Sequence, residues 1–150
     1  MGEMQLNDIG QIVFEEWMRT PTIRTEIELD YFIIMPNHIH GIVIINDANN
    51  NPDVFVGTHG RASLQRKPRS LGSFVAGFKS IVTKRVNMIR MTPGEPIWQT
   101  RYHDHIIRNE VDLHRIRTYI ANNPLQWALD EENPANMKRT SKTQRRKEGI

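Results

Sequence analysis

Two histidine pairs with a single residue between them, His38-Ile39-His40 and His103-Asp104-His105, stand out from a chain that has six histidines and no cysteine. On a strand, residues two apart point to the same face, so either pair would present two imidazoles side by side. Two such nitrogens can share one divalent ion. Imidazole pairs suit Mn, Zn, Fe or Ni, and a third oxygen ligand with open positions for substrate oxygens suits Mg or Mn on a phosphodiester. The plainer alternative is a set of partly exposed strand histidines, and periodicity does not say which pair is the site. Further along, Tyr119 follows Arg115 by four positions, and such neighbours share one face of a helix. A phenol is a weak nucleophile unless a cation lies near it, a role Arg115 is placed to fill. The alternative is a tyrosine that packs its ring and hydrogen-bonds its hydroxyl. Asn122-Asn123-Pro124 is equally two-sided. Proline at 124 disfavours helical geometry at Asn123, so its amide either caps a Pro124-Leu125-Gln126-Trp127 turn or faces the same way as Tyr119.

Composition narrows the classes. Without cysteine, disulfides and thiolate metal sites are excluded, and any metal falls to imidazole, carboxylate, amide or phenol groups. Gly60, Gly72 and Gly77 have neither Walker nor dinucleotide-binding spacing, and no histidine pair has the four-residue helical spacing of zinc hydrolases. Nucleotide-dependent enzymes are thereby disfavoured. No apolar run approaches the roughly 20 residues needed to cross a bilayer, and Met1-Gly2-Glu3-Met4 has no leader character, so a soluble cytoplasmic protein with no membrane partner is expected. The net charge of +3 is unevenly spread: Lys138, Arg139, Lys142, Arg145, Arg146 and Lys147 against Glu148 give the tail +5 and leave −2 for the remainder. Bulk charge therefore does not mark a DNA-binding core, but the cluster Arg61, Arg66, Lys67 and Arg69 is a candidate phosphate contact, since affinity depends on which phosphates are touched.

The elements that must position these groups follow from periodicity. Leu6, Ile9, Val13, Phe14 and Trp17 have three-and-four spacing, predicting an amphipathic helix that Pro21 stops. Ile27 to Met35 reads as a strand, Pro36-Asn37 as a break, and His38 to Ile45 as a second strand, antiparallel to the first because the connection is short. Asn46 to Ser70 reads as a long loop. Leu71, Phe74, Val75, Phe78, Ile81, Val82 and Val86 predict a second helix ending near Asn87, with Lys79, Lys84 and Arg85 largely off its apolar face. Ile97 to Arg108 reads as a third strand and Glu110 to Ala121 as a third helix. The expected architecture is one α+β domain over residues 1–137: a ferredoxin- or RRM-like antiparallel sheet with helices on one face and without its first strand. A basic, disordered tail is expected over 138–150.

Four stretches in order, Met35-Pro36-Asn37-His38-Ile39-His40-Gly41, Gly72-Ser73-Phe74-Val75-Ala76-Gly77-Phe78-Lys79-Ser80, Trp98-Gln99 and Tyr119-Ile120-Ala121-Asn122-Asn123-Pro124, resemble the single-tyrosine HUH transposases, and most closely the REP-associated tyrosine transposase branch. The resemblance runs from about Leu6 to Trp127 and implies an N-terminally truncated member. By it, His38 and His40 would be the metal-binding pair, Asn123 the polar group completing the site with Mg2+ or Mn2+, and Tyr119 the nucleophile. The implied reaction is nicking and rejoining of single-stranded hairpin DNA through a 5′-phosphotyrosine, with Tyr119 acting in its own subunit or across a homodimer. Arg61, Arg66, Lys67, Arg69, Lys79, Lys84 and Arg115 would contact DNA. Tyr102 or Phe74 would stack on bases if exposed, although Phe74 fits the apolar stripe better.

Three functions follow. The first is an active DNA-nicking transposase, which needs Tyr119, His38 and His40 within a metal's reach. The second is a catalytically silent nucleic-acid-binding module derived from such a transposase. The third is a hydrolase that uses both histidine pairs across one cleft and no tyrosine.

Overall fold

The computed structural model of the protein describes residues 5–46, 69–131 and 133–136. Arg61, Arg66, Lys67, nearly all of the expected 46–70 loop and the basic tail lie outside the described residues. The element order is α1 (Asp8–Ile23), β1 (Ile27–Ile34), β2 (Ile39–Ile45), α2 (Leu71–Arg90) and α3 (Glu110–Trp127). The protein is thus α+β, and among the described residues its sheet is the two-stranded pair β1-β2. The chain divides into two compact units. The described part of one holds Tyr31–His40 and the chain from Ile106 on, and the other holds Gln5–Asp30 and Gly41–His105.

In the second unit, α1 packs on α2. Asn7 caps α1 by accepting the Gly10 amide at 2.9 Å, and Ser70 and Ser73 form a reciprocal capping box at the start of α2. The four-residue run Phe74, Phe78, Val82 and Val86 is buried on α2. Against it Trp17 of α1 makes edge contacts to Phe74 and Phe78 with centroids 5.7 and 5.5 Å apart. The buried face of α1 differs from the expected stripe: Ile12, Val13, Glu16, Trp17 and Thr20 are buried, whereas Leu6 and Phe14 are exposed. Glu16 lies on the same helical face as Val13 and Trp17, where its residue type rather than its position is unexpected. It faces inward because Arg85 of α2 reaches it at 2.8 Å while also binding Glu15 at 2.7 Å, so the charge enters the interface paired. Pro21 does not stop α1. It lies in the last turn, where its missing N–H costs one bond only, and the Arg24 amide closes the helix on the Thr20 carbonyl at 2.8 Å.

The hairpin is antiparallel as expected. The Asn46 amide bonds the Glu26 carbonyl at 2.7 Å at its open end, and the Met35 amide bonds the His38 carbonyl at 2.8 Å across the Pro36-Asn37 turn. The expected third strand, Ile97 to Arg108, is irregular. Residues 99–106 are exposed, and with Gln, Thr, Arg, His and Asp on both alternating faces the segment has no apolar side to bury against a neighbour. Its anchors are local: Trp98 lies 5.9 Å from Phe78, and the Lys79 ammonium donates to the Gln99 carbonyl at 2.9 Å.

In the first unit, Asn109 caps α3 by accepting the Asp112 amide at 2.8 Å, with Glu110 and Asp112 in the first turn favoured by the helix dipole. α3 continues through Pro124 to Trp127, six residues beyond the expected end at Ala121. Asn123 is therefore helical, and the alternative in which it caps a new turn falls. Ile120 and Asn123 are the buried residues of this helix, and Arg117 stacks on the Tyr31 ring of β1 at 5.7 Å, tying α3 to the hairpin.

Candidate functional site

His38, immediately before β2, and His40 within it have ring centroids 4.7 Å apart. The Pro36-Asn37 turn fixes where the first ring begins, and the pleat returns the second to the same side. Tyr119 lies 5.4 Å from His40, with the rings nearly perpendicular. One helical turn later, Asn123 brings its Oδ1 to 3.3 Å from His38 Nε2. Tyr119 and Asn123 share a helix face, and each meets one histidine of the pair. The four side chains predicted to act together are together, within one compact unit and across 85 positions of sequence.

The chemistry of this cluster is specific. Burial, aided by the charge on His38, holds the His40 imidazole below its ordinary pKa and favours the neutral, ligand-competent form. Tyr119 is 48% exposed, so substrate can reach the hydroxyl while His40 flanks its ring. Asn123 is 5% exposed and its Nδ2 is buried with no hydrogen-bond partner among the described residues. Such a group is costly to keep. Two imidazoles and an amide oxygen are groups that could hold a divalent ion. The 3.3 Å between His38 Nε2 and Asn123 Oδ1 is close to the separation of adjacent ligands at about 2.1 Å from one ion. Among the described residues no three His, Cys, Asp or Glu side chains form a metal group, so an amide would have to supply the third ligand.

The remaining candidates are placed as follows. Arg115 does not turn to Tyr119: its guanidinium binds Asp112 at 2.6 Å, one turn toward the helix start. In the other unit, the Lys79 ammonium lies over Trp98 and Tyr102 at 5.9 and 5.7 Å, Lys84 is exposed, and Arg69 takes a left-handed backbone conformation with φ 57° just before the α2 cap. Phe74 is core rather than a stacking platform, whereas Tyr102 is exposed. His103 and His105 are exposed on the irregular segment of that second unit. Sequence reasoning passed over Asn37, whose Oδ1 lies 2.5 Å from His38 Nδ1. An amide immediately before a histidine in a Pro-Asn turn was the available signal.

The fold and site define a class: α+β proteins in which a hairpin carrying a His-x-His pair faces a helix carrying a tyrosine and, four residues on, an asparagine. By sequence the chain belongs to the same family as an uncharacterized protein of Haemophilus influenzae, to which it is 34% identical over 131 residues, covering 86% of this chain and 72% of that protein. No family model matches the chain, and no solved structure matches it. Among the described residues no helix is long and apolar enough to cross a membrane.

Proposed function

We propose that the protein is a metal-dependent tyrosine endonuclease and transposase of the single-tyrosine HUH type, acting on single-stranded hairpin DNA in the cytoplasm. The observation that carries this reading is the convergence of His38, His40, Tyr119 and Asn123 in one unit. In this reading the hairpin belongs to a ferredoxin- or RRM-like sheet. His38, His40 and Asn123 would hold Mg2+ or Mn2+, which when bound would polarise the scissile phosphate. Tyr119, flanked by His40 and open to solvent, attacks phosphorus in line. The phenol gives up its proton as its oxygen forms the new ester, the bond to the 3′ oxygen breaks, and that oxygen takes up a proton in turn and leaves as a 3′-hydroxyl. The 5′-phosphotyrosine keeps an ester of similar energy, so the 3′-hydroxyl of the same or another strand can reverse the step without a nucleotide cofactor. Arg115, in the same unit as the four side chains, is a cationic contact for the strand.

The test is a denaturing gel of the protein with labelled single-stranded hairpin DNA and Mn2+ or Mg2+, beside Tyr119→Phe. A covalent band present with the wild type, lost with the variant and lost on chelation is expected. Hairpin DNA bound without any adduct over a broad substrate set would replace the reading with a catalytically silent binding module.

A further inference from the structure

Both ring nitrogens of His38 face amide oxygens: Nδ1 meets Asn37 Oδ1 at 2.5 Å and Nε2 meets Asn123 Oδ1 at 3.3 Å. A neutral imidazole has one N–H and can satisfy only one of them. The contact to Asn37 is much the shorter, and it places the proton on Nδ1. Nε2 then turns a lone pair toward Asn123, and this holds for either orientation of the Asn123 amide: the oxygen leaves two lone pairs facing a common point, and the NH2 group donates to Nε2.

We infer that Asn37 is a positioning residue which, by accepting the Nδ1–H of His38, holds this imidazole in the tautomer whose Nε2 lone pair faces α3. The inference rests on the proposed metal role only for its consequence, since the tautomer is a property of the free protein. A ligating histidine commonly has its second nitrogen fixed in this way, which sets the ring's orientation and raises its basicity. The order of residues serves the purpose: Asn37 ends the turn, immediately before the ring it orients, and the backbone next to both is pinned by the Met35 amide on the His38 carbonyl at 2.8 Å. His40, two residues on, has no such neighbour in sequence, because Ile39 and Gly41 flank it.

The experiment has two arms on the full chain. In the first, long-range proton–nitrogen correlation spectra of 15N-histidine-labelled, metal-free protein are recorded above the ordinary imidazole pKa for wild type, Asn37→Ala and Asn37→Asp. His38 is expected as the Nδ1–H tautomer in wild type and in Asn37→Asp, which keeps an acceptor. In Asn37→Ala it is expected to shift toward the Nε2–H form that free imidazole side chains prefer. A wild-type Nε2–H tautomer, or a tautomer unchanged in folded Asn37→Ala, overturns the inference. In the second arm, Mn2+ titrated alone is expected to bind Asn37→Ala at least about 10-fold more weakly than wild type, the usual cost of losing such a partner, with Asn37→Asp restoring affinity. If wild type does not bind Mn2+, the metal reading fails by itself, and the tautomer spectra still decide the role of Asn37.

Discussion

Replacing Asn123 by alanine is expected to stabilise the protein while disabling its site. The Nδ2 of this side chain is buried with no partner among the described residues, and relieving such a group returns about 1–3 kcal/mol. Alanine also gains up to about 0.7 kcal/mol of helix propensity. Against this stand the lost contact to His38 Nε2, long at 3.3 Å and worth at most about 1 kcal/mol, and the space left by three heavy atoms. That space borders a histidine still partly open to solvent, so water can fill it and keep its cost near about 1 kcal/mol. The balance is a gain of about 1 kcal/mol, or roughly 3 °C in Tm for a chain of this length. Calorimetry reads the shift, and Mn2+ titration of the same sample reads affinity, expected to fall at least about 10-fold. A lower Tm for Asn123→Ala refutes the reasoning, because the amide would then be a satisfied structural group. Higher stability with undiminished Mn2+ affinity would sever Asn123 from the proposed metal site.

Two further outcomes follow from the charged groups. Arg85→Met removes the guanidinium from Glu16, whose side chain is 2% exposed and retains, among the described residues, the ion pair with Arg19 at 3.7 Å. With Arg85 itself about a third exposed, the loss in urea unfolding should be about 2 kcal/mol, below the 3–5 of a wholly buried pair, and an unchanged midpoint would show that Glu16 is satisfied without it. His40 is held below its ordinary value of 6.5. Between that folded value and the ordinary one, the unfolded chain binds a proton the folded chain does not. Stability should thus rise with pH through this window and be lost as pH falls below the ordinary imidazole pKa, and His40→Gln should flatten the slope. Equal slopes for the two proteins would refute the assignment.

The hairpin and α2 were legible because one simple rule governs each: a Pro-Asn break between two apolar runs, and a four-residue repeat from Phe74 to Val86. The elements misread are those in which a tertiary partner overrides local pattern. Glu16 is buried in α1 with Arg85 paired to it from 69 positions away, and no window of sequence contains both. α3 outruns Pro124 because Ile120 and Asn123 are buried just before the proline, so packing offsets a breaker near the helix end. The segment 97–108 carries two aromatics and a histidine pair but no sustained alternation, and it has no strand geometry in the structure. Within the site, spacing offered two histidine pairs, His38/His40 and His103/His105, and did not choose between them. Nothing in local pattern joins them to Tyr119; only the resemblance of four separated motifs anticipated that meeting.

The 85 positions between His38 and Asn123 also set an order in time. A ribosome adding about 5–20 residues per second exposes the imidazole pair on the order of ten seconds before the helix that bears the phenol. Until then the nascent chain holds the imidazole pair without the tyrosine that faces it. A message cut short, or a ribosome that stalls before α3, releases a protein without its proposed nucleophile. For a chain proposed to break DNA, the reactive group arrives last, and incomplete synthesis yields an inert product.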